Sequence, residues 1–220
     1  MEALLVYTKH KWNSDKYFNF GYVVNLPKDY DENKKYPLVL FLHGAGERGD
    51  DLDLAVKHGY MRYVKEQGKE YPFIFVAPQC PLNKYWGCYT ESLLAFIDFI
   101  CESLPVDLDR VYLTGLSMGG TGTWMLAMAD PERFAAIAPV CGSGIIWNGG
   151  CLANLPTLVY HGDCDGTVPI QESMNMITAI NKRGGNARIN ICYGVAHNAW
   201  DIAYGGDELA EWLMSNKRGS

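Results

Sequence analysis

The stretch Val111 to Phe134, "VYLTGLSMGGTGTWMLAMADPERF", changes period in its middle. It starts as the apolar run of a strand, and from Met118 it takes the spacing of an amphipathic helix. Between the two lies Gly115-Leu116-Ser117-Met118-Gly119-Gly120, a serine set among glycines. A turn this sharp holds its central residue at positive φ, and side chains two residues to either side would crowd it. Glycine removes those side chains. The serine Oγ is then raised above the sheet edge, at a helix N-terminus whose free N–H groups face developing negative charge. On its own the pattern G-x-S-x-G is weak. With glycine at about 7% of residues, roughly one chain in ten to twenty of this length carries it by chance. The strand before it and the helix after it give the pattern meaning. The plain alternative is a glycine-rich helix entry with an idle serine.

Working outward, strand-like and helix-like runs alternate. "PLVLFLHG" (Pro37 to Gly44) is apolar almost throughout, the mark of a strand buried on both faces. "FIFVAPQ", "RVYLTG", "AAIAPVCG", "TLVYHGD" and "RINICYG" read the same way, and "YFNFGYVVNLP" alternates as an antiparallel strand near the edge does. Helices are expected at Glu91 to Leu104, Met118 to Ala129, Ile170 to Lys182 and Gly206 to Asn216. The expected class is α/β, a mostly parallel central sheet with helices on both faces. Only Cys141 to Pro156 separate two of the strands, too few residues for a helical lid domain, so the site should be open.

Length and composition agree with one domain over residues 1–220. The chain has 220 residues, 48% hydrophobic and 20% charged, ordinary for a globular protein able to bury a large core. The formal charge is -6 with no basic stripe, which argues against nucleic acid and gives no pull toward anionic membranes. No run approaches the roughly 18 apolar residues of a membrane span, and "MEALLVYTKHKW" does not read as a signal peptide. Seven cysteines, odd in number and widely spread, point to reduced, mostly buried thiols in a cytoplasm rather than a disulfide framework. No CxxC pair suggests a metal, and no cofactor is called for.

In a parallel sheet, ligands sit beyond the carboxyl ends of the strands. Four segments fall there: His43-Gly44-Ala45-Gly46, the serine turn, His161-Gly162-Asp163-Cys164-Asp165, and Ala196-His197-Asn198. A serine hydroxyl needs a base, and the base needs an orienting acid. His10 and His58 lie in polar, peripheral-looking segments, and His43 and His161 end strands in "HG" pairs that suit loop bracing. His197 follows the last strand and gives the order Ser…Asp…His of α/β-hydrolases. For the acid, Asp163 and Asp165 both follow "LVYHG"; Asp165 has the longer reach, while Asp163 suits bonding to turn amides. Asp201 is a weaker rival, better suited to bracing its loop. The amides of Met118, next to the serine, and of Ala45, after "LVLFLHG", are placed to receive an oxyanion.

As a set, "HGAGERG" at His43 to Gly49, "GLSMGG" at Gly115 to Gly120, "HGDCDGTVP" at His161 to Pro169 and "HNAWD" at His197 to Asp201 resemble the phospholipase/carboxylesterase family of α/β-hydrolases. The likeness extends to esterases related to polyhydroxybutyrate depolymerases and to feruloyl esterases, and spans Tyr17 to Leu213. It implies a serine carboxylesterase acting on a small-molecule ester with Ser117, Asp165 and His197 as triad, and a bracing role for Glu47 and Arg48. "HGDCD" is also similar to the acid loop of acyl-protein thioesterases. That or a lysophospholipase-like activity, and a non-catalytic binding protein on the same fold, are the alternatives. Trp86, Tyr89, Trp147 and Trp200 follow strands or adjoin motifs, and the three tryptophans are the candidates for substrate contact; packing is the plain reading of each.

Overall fold

The apolar runs form the middle of one eight-stranded sheet. In the computed structural model, which describes residues 6–219, the strands are β1 (Thr8–Trp12), β2 (Phe20–Asn25), β3 (Tyr36–Leu42), β4 (Ile74–Pro78), β5 (Val106–Leu116), β6 (Ala136–Val140), β7 (Leu158–Gly162) and β8 (Arg188–Cys192). The reading of the first residues as no signal peptide falls partly on residues 1–5, which lie outside the described residues. The order is β1-β2-β4-β3-β5-β6-β7-β8. β1 pairs with β2, and β2 with β4, antiparallel; from β4 to β8 every pairing is parallel.

The helices are α1 (Tyr60–Gln67), α2 (Thr90–Ser103), α3 (Met118–Ala129), α4 (Gln171–Asn181), α5 (Trp200–Gly205) and α6 (Glu208–Met214). One face of the sheet buries α2, α3 and α4 through Phe96, Trp124 and Met176. The other buries α1, α5 and α6 through Tyr60, Tyr204 and Leu213. Two apolar layers around an inner sheet explain why β3, β4, β6 and β7 carry no polar alternation. Between β6 and β7 the chain makes only a short 3-10 stretch, Ile146–Leu152, so this connection holds no helical lid.

Several expectations need correction. "RINICYG" is not buried on both faces: β8 is an outer strand, with Arg188 and Asn190 exposed. β1 is an outer strand without a sequence signature, because four of its five residues are exposed. Lys9 and Lys11 on β1 suit an edge that must not recruit another strand. The helices α1 and α5 were also not expected. Three of the seven thiols, Cys88, Cys151 and Cys164, are exposed rather than buried. Among the described residues no helix is long and apolar enough to cross a membrane.

Candidate active site

Ser117 joins β5 to α3 with φ 54° and ψ -117°, left-handed backbone that a non-glycine residue occupies only under constraint. The constraint comes from both sides. The Ser117 N–H donates to Val140 O at 2.9 Å, and the Thr121 N–H closes the first helical turn on Ser117 O at 3.0 Å. The flanking glycines are required by space. A Cβ on Gly115 would lie 2.5 Å from Gly119 O, and one on Gly119 only 1.8 Å from Leu42 O.

The loops after β7 and β8 reach this serine. Ser117 Oγ lies 2.8 Å from His197 Nε2, and His197 Nδ1 lies 2.7 Å from Asp165 Oδ2. The carboxylate can only accept, so Nδ1 carries the proton and Nε2 is free to accept the serine O–H. Asp165 is buried, and its Oδ1 accepts the amides of Thr167 and Val168, both at 2.9 Å. Burial alone would raise the Asp165 pKa; the bonds from His197, Val168 and Thr167 outweigh it and hold the carboxyl below its usual range. His161 braces this loop. It bonds Ser173 Oγ and Val168 O and stands 3.3 Å from Asp165 Oδ2. Asp163 instead accepts the Gly194 amide at 2.7 Å. Asp201 pairs with Arg62 at 2.7 Å and accepts from Asn198, so it braces its loop.

Ala45 opens a 3-10 turn, Ala45–Glu47, and Met118 opens α3. First residues of helical turns have amides without an intrahelical acceptor. The Ala45 turn is pinned on every side. His43 Nε2 accepts the Cys80 amide at 3.0 Å, and its Nδ1–H donates to Gly44 O at 2.7 Å. Arg48 Nε donates to Ala45 O at 2.8 Å, and Gln79 Nε2 to Glu47 O at 3.0 Å.

His43 must stay neutral to make both of its bonds. Burial is the main cause that lowers its pKa from 6.5 to about 4. An unfolded chain takes up this proton at higher pH than the folded one does. The stabilisation is therefore complete above 6.5 and lost as pH falls to about 4. It amounts to roughly 3 kcal/mol from the size of that shift. Urea unfolding across this window should show that slope in the native chain and lose it in His43→Gln; an unchanged slope in the variant refutes the assignment.

The tryptophans part company. Trp86 cannot line a pocket: it is 1% exposed, and its indole N–H donates to His43 O at 2.9 Å. It is a buried brace of the Ala45 turn. Tyr89 packs on Phe18 and Phe20. Trp147 stands 90% exposed after β6. Trp200 alone of the three touches the site, edge to face with His197 at 5.3 Å between ring centres. Two residues not singled out before also belong here. His58, whose segment reads as peripheral, also packs against Trp200, at 5.6 Å between ring centres. The shared "HG" dipeptide with His43 and His161 was the one available signal. Cys141, at φ 41°, directs its S–H to His197 O at 3.3 Å.

Cys141, Asp165 and His197 place their donor atoms within 4.8 Å of one another, close enough to suggest a metal. Their atoms are already committed. Asp165 and His197 bond each other, and burial raises the Cys141 thiol to about 12, which keeps it protonated.

The family model described as "Putative esterase" matches residues 19–156, from β2 through β6. The chain is 30% identical over 171 residues to "Probable feruloyl esterase C" of Aspergillus terreus, covering 74% of this chain and 62% of that protein. It is likewise 30% identical over 177 residues to feruloyl esterase C of Emericella nidulans, again 74% and 62%. This chain thus spans less than two thirds of the curated relatives' length. A solved thermostable esterase superposes with a TM-score of 0.86 at 33% identity, over 97% of this chain and 64% of that one. The family match runs through both the Ala45 turn and the serine turn, and the chain belongs to this esterase family on an α/β-hydrolase fold.

Proposed function

We propose that the chain is a serine carboxylesterase that works through an acyl-enzyme. The observation that carries this reading is the continuous bond series from Ser117 through His197 to Asp165. Ser117 Oγ attacks the ester carbonyl while its proton passes to His197 Nε2, and Asp165 stabilises the imidazolium. The amides of Ala45 and Met118 receive the oxyanion. The imidazolium returns its proton to the leaving alcohol. Water, deprotonated by the same nitrogen, then releases the acid and regenerates Ser117.

The preferred substrates are small esters with short or aromatic, feruloyl-type acyl groups. The curated relatives whose names are feruloyl esterases support this. The exposed thiols and odd cysteine count suit a reducing compartment such as the cytoplasm. A panel of acetyl, butyryl and octanoyl p-nitrophenyl esters, methyl ferulate and an acyl thioester tests the reading. Acetyl, butyryl and feruloyl esters should turn over fastest. Hydrolysis of the thioester alone, or of nothing, overturns it.

A further inference from the structure

We propose that Glu47, His58 and Trp200 are positioning residues that tie the oxyanion turn to the catalytic base. The inference rests on the esterase reading above and adds a coupling between two parts of the site that do not touch.

The series starts on the turn that holds Ala45. The Glu47 side chain is about nine-tenths buried, and a Cβ on Gly44 would lie 2.9 Å from its Oε2, so the carboxylate fills the space beside Gly44 on that turn. Burying a carboxylate is costly unless a partner faces it. The partner is His58, whose Nε2 lies 3.6 Å from Glu47 Oε1. His58 Nδ1 is buried and has no bonding partner among the described residues. The ring is therefore placed by its contacts with Glu47 and with Trp200. Trp200 in turn meets His197 edge to face.

Outside this line, α1 clamps α5: Arg62 pairs with Asp201, and the Tyr63 hydroxyl donates to Asp201 O at 2.9 Å. Trp200 opens α5 and is thus held between His58 and that clamp. One chain segment, from Gly44 to Tyr63, both carries the oxyanion turn and supports the base. Apolar residues could pack such a segment without the burial cost. A carboxylate, an imidazole and an indole in series instead link the turn to the base through a 3.6 Å polar contact and two ring contacts. The charges facing His58 are Glu47 and Asp201, which favour its protonation, and Lys57 and Arg62, which oppose it; burial is the largest influence and lowers its pKa.

The experiment is a double-mutant cycle on the full chain between Glu47 and Trp200, which both contact His58. Glu47→Ala, Trp200→Ala and the double variant are assayed on p-nitrophenyl butyrate, with melting temperatures measured alongside. Each single variant should lower kcat about tenfold with KM nearly unchanged, and the double variant should fall little further, a shortfall of at least about threefold from the product of the singles. Trp200→Phe, which restores a ring between the two imidazoles, should recover most of kcat. If Glu47→Ala does not fold, Glu47→Gln takes its place in the cycle. Effects that multiply, or that fall on KM instead of kcat, overturn the coupling while leaving the esterase reading intact. A native chain without ester hydrolysis removes that reading instead.

Discussion

Replacing Ser117 with alanine is expected to lower kcat/KM on p-nitrophenyl butyrate by a factor on the order of 10⁴ to 10⁶, with the fold unchanged. The change removes only Oγ. That oxygen bonds His197 Nε2 at 2.8 Å. The Cβ stays, so the backbone at φ 54° meets no new clash and keeps the amides that pin it to Val140 O and Thr121. Without the oxygen no acyl-enzyme can form, and what persists is the electrostatic help of the Ala45 and Met118 amides. Circular dichroism and a melting curve should overlay those of the native chain. A variant that keeps a tenth or more of the native rate removes Ser117 from the nucleophile's role.

The second large effect is on the fold. Gly119→Ala should destabilise by about 4 kcal/mol or more, among the largest values seen for single substitutions. The added methyl carbon would sit 1.8 Å from Leu42 O, 2.5 Å from Leu42 C and 2.7 Å from His43 O. All three are backbone atoms at the end of β3, and none can swing aside as a side chain could. Either α3 lifts from the sheet or β3 shifts, and both movements disturb the central pair of strands. For a domain of this size the melting temperature should fall by roughly 10 °C or more. Gly46→Ala is the control. Nothing lies within 4 Å of its Cβ position and its φ is not left-handed, so its effect on stability should be small. A Gly119→Ala melting curve within a few degrees of the native one contradicts the packing described.

What could be read beforehand follows from where the physics is local. The inner strands were legible because burial on both faces leaves an unbroken apolar run, as in "PLVLFL" of β3. The helix from Met118 to Ala129 was placed to the residue, since the glycine-flanked serine marks its start and Asp130-Pro131 its end. β1 has no signature in the sequence because all its residues but Trp12 are exposed and carry no alternation. α1 was missed because "YMRYVKEQ" is short and buries only Tyr60, Met61 and Tyr63. β8 was misread because an edge strand and an inner strand differ in their neighbours, which the sequence does not state. Trp86 was misplaced for a related reason. Its indole N–H needed a buried acceptor, and that acceptor is a backbone carbonyl more than forty residues earlier, at His43. The same limit hid His58, whose surroundings come from α5, far along the chain.

The central pairing of β3 with β5 joins Leu38 to Val111 and Leu42 to Gly115. The intervening chain holds α1, β4 and α2, so this ladder can close only after a long loop has been drawn in. Such non-local parallel pairings form slowly and late. The Ala45 turn hangs from the end of one of these strands and Ser117 from the end of the other. Neither has its final place until the two strands have zipped to their tips. During refolding, then, helical content and collapse should precede any competence for chemistry, and hydrolytic activity becomes a clock for the last long-range step of assembly.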